Sequence, residues 1–364
     1  MRADAQFTGS IVIDLDALAR NFHKLRAAAA PAECAAVVKA NAYGLGVAPV
    51  AKRLLREGCR RFFVAALAEG QELRALAPDA AIYVLEGVLD AQAGKLVDAS
   101  LTPVLNSLEQ VERWAGTGQS QVRPAILHID TGISRLGMTA KEVDALARNR
   151  ELLGRLGRIE YVLTHFACAD EPGHSLNCDQ LRRFDALRGR LPPAPTSLAN
   201  SAAIFIGAEY RGDLVRPGIA LYGGNPFRDR ANPMEPVVTL EARILQIREV
   251  DEALTVGYGA TYGAAPPARL AVLGVGYADG YPRCLGNVGV AAVGGVRVPV
   301  VGRVSMDLTC VDVSALPAKG VRVGDWVELV GAEVTLDEVA EAAGTISYEI
   351  LTGLGQRLNR EYVG

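Results

Sequence analysis

The sequence predicts an α/β fold made of an N-terminal (β/α)8 barrel followed by a C-terminal all-β domain. Two observations carry that prediction. Between Glu33 and about Gly223, short apolar runs alternate with longer amphipathic stretches; beyond Pro236 the pattern turns β-rich. Eight strand-length runs separated by helices over roughly 200 residues fit a closed barrel better than a doubly wound sheet. The length of 364 residues agrees with two domains at roughly 100–200 residues each. We place the barrel at residues 10–232. The β domain takes residues 233–364, with an N-terminal strand within 1–13 expected to pair with it.

The apolar runs are Cys34–Val38, Phe62–Ala66, Ile82–Leu85, Leu101–Leu105, Ala125–Ile129, Ile159–Leu163, Thr196–Leu198 and Leu214–Val215. Each is bounded by polar residues, glycine or proline, as buried strands are. Helical spacing of apolar residues marks Ala48–Glu57, Ala68–Leu76, Ser107–Ala115, Lys141–Leu153 and Asp179–Leu191. Thr139 with Glu142 forms a capping box, and Ser107 with Gln110 comes close to one. Pro226, Pro233 and Pro236 mark the linker. After it, Val237–Ile247, Ala253–Val256, Arg269–Val275, Val288–Val293, Val296–Val301, Leu308–Val313 and Val321–Val330 read as strands, and only Leu336–Ala343 as a helix.

Composition narrows the function. Half the residues are hydrophobic and 22% are charged, a globular balance. No apolar run approaches the ~18 residues of a membrane helix, and acidic residues interrupt the N-terminus before a secretory h-region forms. The 38 basic and 41 acidic residues nearly cancel, which argues against a nucleic-acid partner. Six scattered cysteines without a C-x-x-C pair point to reduced thiols and a cytoplasmic location. His165, Cys168, His174 and Cys178 lie near one another in sequence, but without a C-x-x-C pair we expect no metal.

In a barrel of this kind, functional residues follow the strands. Those positions hold Lys39, Asn41 and Tyr43, then His128, Asp130 and Arg135, then His165, then Asn200 and Ser201, and finally Arg216 and Gly218. Lysine, arginines and small turn residues on one rim suit an anionic, phosphate-bearing ligand. Lys39 follows Ala35–Val38 directly, so its amine faces the barrel mouth. Position alone leaves open whether it is an imine-forming amine of lowered pKa or an ordinary strand-end lysine.

The segment Val37-Val38-Lys39-Ala40-Asn41-Ala42-Tyr43-Gly44 resembles the pyridoxal-phosphate (PLP) lysine segment of alanine racemases. The resemblance continues in order through Asp130–Gly137, Thr164–Ala167, Ala199–Ala202, Val215–Gly223, Gly257–Tyr262, Gly276–Tyr281, Gly302–Asp307 and Tyr348–Leu351. Nine motifs in register span both domains. They imply that Lys39 carries PLP as an imine and acts as one of two acid/base groups at the alanine Cα. Tyr258 is implied to be the other, donated with Met306 by the second subunit of a homodimer. Racemisation needs a base on each face, because one removes the proton and the other returns it.

The resemblance further implies that Arg216 contacts the pyridine nitrogen and that His165 orients Arg216. Tyr43, Ser201, Gly218, Ile219 and Tyr348 hold the phosphate, with Asn200 beside them. Arg135 and the Met306 backbone bind the substrate carboxylate, and Tyr277 narrows the entry. A guanidinium at the pyridine nitrogen cannot accept a proton, which limits side reactions. Two positions depart from the family pattern. Many relatives carry a lysine modified to a carbamate seven residues before Arg135, where this chain has His128; a chloride, a water or a neutral imidazole could brace Arg135 instead. The family's glycine-flanked histidine after the PLP lysine segment is Leu45 here. The competing readings are another fold-type III PLP enzyme, either a racemase of broader substrate range or a decarboxylase-like relative, and a non-catalytic PLP carrier. The decarboxylases lack the Tyr258 segment as it stands here, and the carriers lack a β domain.

Overall fold

The barrel strands form because short runs of apolar, often β-branched residues are buried on both faces, the condition under which parallel strands persist. The computed structural model describes residues 6–118 and 123–364; the Met1–Asp4 part of the N-terminal reading and of the 1–13 strand lies outside the described residues. The chain divides into two units. One comprises Ala19–Leu221 and Asn225–Pro233, the other the N-terminal segment to Leu18, Tyr222–Gly224 and Met234–Gly364.

Strand Gly9–Asp14 (β1) leads into helix Leu15–Ala29, whose start is capped by Asp14 Oδ1 accepting the Ala17 N–H at 2.8 Å. The barrel strands follow. They are Glu33–Cys34 (β2), Ala36–Val37 (β3), Arg61–Val64 (β4), Ala81–Val84 (β5), Thr102–Leu105 (β6), Ala125–His128 (β7), Ile159–Leu163 (β8), Thr196–Ser197 (β9) and Leu214–Val215 (β10). β3 through β9 pair in sequence order, all parallel, and β10 pairs parallel with β2. β2 and β3 are one run broken at Ala35, whose N–H donates to Val215 O at 3.0 Å. The Arg216 N–H donates to Ala199 O at 2.8 Å and the Asp213 N–H to Thr196 O at 2.8 Å, which joins the last stave to its neighbour. Eight staves therefore close on themselves.

Two helices went unmarked in the sequence, Leu15–Ala29 and the six-residue Ala93–Asp98. The stretch expected as one helix over Lys141–Leu153 is two, Ala140–Arg148 and Arg150–Leu156. Asn149 leaves helical geometry (φ −93°, ψ 80°) and its Oδ1 caps the second by accepting the Leu152 N–H at 2.9 Å. At Thr139 the capping box forms in both directions, with Glu142 Oε2 accepting the Thr139 N–H at 2.8 Å and Thr139 Oγ1 accepting the Glu142 N–H at 3.3 Å.

The other unit contributes Val238–Val250 (β11), Leu254–Val256 (β12), Tyr262–Ala264 (β13), Ala268–Leu273 (β14), Val290–Val293 (β15), Val296–Pro299 (β16), Thr309–Asp312 (β17), Trp326–Val330 (β18) and Asn359–Val363 (β19). The main sheet runs β16-β15-β18-β11-β1-β19, with β14 joining β11 to β17. β11 pairs with β1 and β18 along its first half, shifts register between Ile244 and Gln246 and continues against β14, so one long strand serves three neighbours. The expectation of a single helix here needs correction. Ser347–Thr352 is helical as well as Leu336–Ala342, because six residues are too few to display a 3.6-residue period.

Candidate active site

Lys39 leaves the end of β3 into a turn of unusual hand. Ala40, Asn41, Ala42 and Tyr43 have φ of +53°, +53°, +53° and +56°, so four consecutive non-glycine residues are left-handed. Such residues persist only where the surroundings over-determine them. Backbone bonds inside the turn run from the Ala42 N–H to Val38 O (2.9 Å) and from the Gly44 N–H to Ala40 O (2.8 Å). Asn41 Oδ1 accepts the Val47 N–H at 2.7 Å, and Glu69 Oε1 accepts the Ala40 N–H at 2.7 Å. The second Glu69 oxygen accepts the N–H groups of Ala65 (2.7 Å) and Ala66 (3.3 Å). One carboxylate thus ties the turn after β3 to the loop after β4. Burial holds the Lys39 amine below the ordinary lysine range and Arg135 pushes it the same way, while Glu69 opposes them.

Arg216, at the end of β10, is buried. Its guanidinium donates to Ser197 Oγ (2.6 Å), Thr164 O (2.7 Å) and Leu198 O (3.2 Å), and lies 3.4 Å from His165 Nδ1. No carboxylate pairs with it among the described residues, and burial pushes its pKa down to about 10. An arginine donates only, so His165 Nδ1 accepts and its proton sits on Nε2. Burial holds the His165 imidazole well below its ordinary range, with Arg216, Arg135, His128 and Lys39 all adding in the same direction. These five side chains therefore share one neighbourhood at the barrel mouth.

Beside it, Ser201 Oγ accepts the N–H groups of Gly218 (2.9 Å) and Ala220 (3.3 Å), which leaves its proton free to point outward. Gly218 is required sterically, because a Cβ there would land on the Tyr43 hydroxyl. The Asn200 side chain mainly closes the following turn, with Oδ1 accepting the Ala203 N–H at 3.0 Å. A buried guanidinium without an anion is costly, and the Ser201 and Tyr43 hydroxyls packed on the Gly218 turn make an anion cradle. The residues present fit a phosphate-bearing ring cofactor.

His128 ends β7 and is buried; burial and the Arg216 guanidinium push its pKa down to about 3. The loop after it folds back, with Asp130 Oδ1 accepting the N–H groups of Gly132 (2.9 Å), Ile133 (3.1 Å) and Ser134 (3.1 Å). Arg135 projects from that loop and is exposed.

Four expected residues lie in the other unit. Tyr258 begins a short turn between Gly257 (φ +70°) and Gly259 (φ +74°) and is 73% exposed in the single chain. The Tyr277 and Met306 turns are zipped together, with the Tyr277 N–H donating to Ser305 O (3.0 Å) and the Ala278 N–H to Met306 O (2.9 Å). Arg357 clamps both turns through two bonds to Asp279 (2.9 Å each) and one to Asp307 (2.8 Å). Tyr348 sits in the first turn of helix Ser347–Thr352, exposed. Sequence reading missed Glu69, Asn106, Ser197 and Arg357. Glu69 occupies the N3 position of a helix, but Ala66 supplies no capping hydroxyl to complete the signature.

Residues 13–226 match the family described as alanine racemase, N-terminal domain, and residues 237–362 match alanine racemase, C-terminal domain. The alanine racemase of Rhodospirillum rubrum is 48% identical over 361 residues, covering 98% of this chain and 96% of the relative. That of Brucella abortus is 47% identical, covering 98% and 93%. Among solved structures, alanine racemase from Bartonella henselae with covalently bound pyridoxal phosphate superposes with a TM-score of 0.93 at 40% identity, covering 98% of this chain and 99% of that one. The biosynthetic alanine racemase of Pseudomonas aeruginosa gives 0.92 at 38% identity, covering 99% and 100%.

Proposed function

The chain belongs to the alanine racemase family, and from that premise we propose that it interconverts L- and D-alanine using PLP held covalently by Lys39. The observation that supports this most directly is the barrel mouth itself. Lys39, Arg216 and Arg135 all sit close enough to His165 to lower its basicity, beside a Gly218 turn against which the Ser201 and Tyr43 hydroxyls pack. When bound, PLP supplies an electron sink for the charge developing at the substrate Cα.

This chain's residues supply the rest. Lowered basicity lets more of Lys39 stand as the free amine that attacks a carbonyl and that takes a proton from Cα. Arg216, already engaged by four acceptors including His165, would meet the pyridine nitrogen of the bound cofactor as a fixed donor. Tyr43, Ser201, Gly218, Ile219 and Tyr348 receive the phosphate, with Asn200 shaping the turn. Arg135 and the Met306 backbone take the substrate carboxylate, and Tyr277 narrows the approach.

Tyr258 serves the opposite face of Cα, and we assign it and Met306 to the site of a second copy of the chain in a homodimer. Among the described residues no helix is long and apolar enough to cross a membrane; we place the enzyme in the cytoplasm, supplying D-alanine for peptidoglycan or degrading it.

The test joins an absorbance spectrum to a racemisation assay. A visible band abolished by borohydride, together with D-alanine formed from L-alanine, is the expected result. Tyr258→Phe should keep the band and lose racemisation by at least about 100-fold; full activity in that variant refutes the two-base assignment. Faster turnover of L-serine or L-lysine overturns the substrate.

A further inference from the structure

One buried acceptor at the barrel mouth lacks a partner, and an exposed donor on the loop that follows it is complementary to it. Asn106, after β6, donates both amide hydrogens to backbone carbonyls, Leu85 O and Val104 O, each at 2.9 Å. Turning the amide over would set its oxygen against two carbonyl oxygens, so its orientation is determined. Asn106 Oδ1 therefore faces His128 Nδ1, at 2.7 Å. A carbonyl oxygen only accepts, so Nδ1 carries the proton. The ring is neutral, because burial opposes its charge and Arg216 and Arg135 outweigh the nearby Asp130. Nε2 is then a bare lone pair, buried and without a partner among the described residues.

A buried acceptor left unpaired costs about 1–3 kcal/mol, so a donor belongs there. A chloride does not, since it would bring a second set of lone pairs against the first. Arg216 is committed to Ser197, Thr164, Leu198 and His165. Arg135 is the opposite case, with five N–H donors that face solvent and make no hydrogen bond or ion pair among the described residues. The chain brings it back toward His128, because the Met138 N–H donates to His128 O (2.7 Å) and the Asp130 N–H to Met138 O (3.0 Å). Its charge acts on the His128 ring.

We propose that His128 is a positioning residue whose Nε2 accepts a hydrogen bond from the Arg135 guanidinium and so sets that arginine against the substrate carboxylate. The proposal rests on the reading of Arg135 as the carboxylate-binding residue. Being uncharged, this brace leaves the full positive charge of Arg135 directed at the substrate.

The experiment is a long-range proton–nitrogen spectrum of the PLP-loaded enzyme with nitrogen-15 histidine. The chain has only four histidines, and His128 is identified by the signal lost in His128→Gln. The expected result is the Nδ1–H tautomer at neutral pH, with the Nε2 resonance moving on addition of propionate and not moving in Arg135→Leu. An Nε2–H tautomer, an imidazolium, or a propionate response that survives Arg135→Leu overturns the proposal.

Steady-state kinetics supply a second readout. His128→Leu should raise KM for alanine about tenfold with a smaller change in kcat, the effect of roughly 1.4 kcal/mol. His128→Gln, whose side chain offers an acceptor oxygen, should recover part of it. A KM in His128→Leu within about twofold of the parent, with PLP content intact, also overturns the proposal. Should His128→Leu fail to fold, the tautomer and propionate response of the parent chain decide. If the parent shows both yet does not racemise alanine, the substrate reading fails and the brace stands.

Discussion

Substituting Glu69 by glutamine asks whether the left-handed turn after Lys39 is held from outside. Left-handed geometry costs an L-residue about 1–2 kcal/mol, so Ala40 to Tyr43 together carry roughly 4–8 kcal/mol that the surroundings must offset. Glu69 meets the turn with one oxygen on the Ala40 N–H and grips the next loop with the other, on Ala65 and Ala66. Hydrogen bonds to a charged group contribute about 1.5–3 kcal/mol each. Glutamine keeps one acceptor and turns the other into a donor facing an N–H, so at least one of these bonds becomes a repulsive contact. Glu69 is only partly buried, which discounts the figure.

The expected loss is about 2–3 kcal/mol of unfolding free energy in urea, with weaker PLP retention in equilibrium dialysis, because the Lys39 turn loosens. Removing the negative charge should also move the Lys39 titration further down, since Glu69 is the group that raises it. Stability within about 0.5 kcal/mol of the parent, together with unchanged PLP affinity, refutes the reasoning.

Three further outcomes follow from the geometry. His128 has a folded-state pKa near 3 against an ordinary value of 6.5, so below about pH 6.5 the unfolded chain takes up a proton that the native state refuses. Stability should fall as the pH drops from about 6.5 toward 3, by at most about 5 kcal/mol from this group, with His165 adding in the same direction. Urea midpoints measured across that range in the parent and in His128→Gln check it, and equal slopes in the two would contradict it. Gly218→Ala places a methyl group on the Tyr43 hydroxyl and should weaken PLP binding by at least about tenfold, read by dialysis; unchanged binding removes Gly218 from the cradle. Because an imidazole cannot form a carbamate, bicarbonate added to CO2-depleted enzyme should leave the racemisation rate unaltered, and a rise in rate would reopen how Arg135 is braced.

Much of this molecule could be read from local pattern. The strand-length runs mark all eight barrel staves to within one or two residues, and Thr139 with Glu142 announces its helix start because the cap is made by residues three apart. Lys39, Arg216 and Gly218 stand out because they follow strands, where a barrel presents its side chains. The readings that failed were those with too little local signal. Helix Ser347–Thr352 is shorter than two periods, and Asn149 splits a helix whose apolar spacing continues across the break. The left-handed hand of Ala40–Tyr43 has no signature at all, since alanine and tyrosine do not favour it.

By itself, then, the sequence determined the order of the barrel strands, the rim positions and the identity of the charged groups there, because each depends on residues within a few positions of one another. Tertiary structure decided how those groups are engaged. The carboxylate that braces the Lys39 turn comes from 29 residues further on, at Glu69. The proton on His128 is placed by Asn106, 22 residues earlier, and the Tyr277 and Met306 turns are clamped by Arg357, 78 residues beyond Asp279. Hydrogen bonds between groups so far apart in the chain arise only once the staves have closed and the sheet has formed, because only the folded backbone brings donor and acceptor within 3 Å of each other.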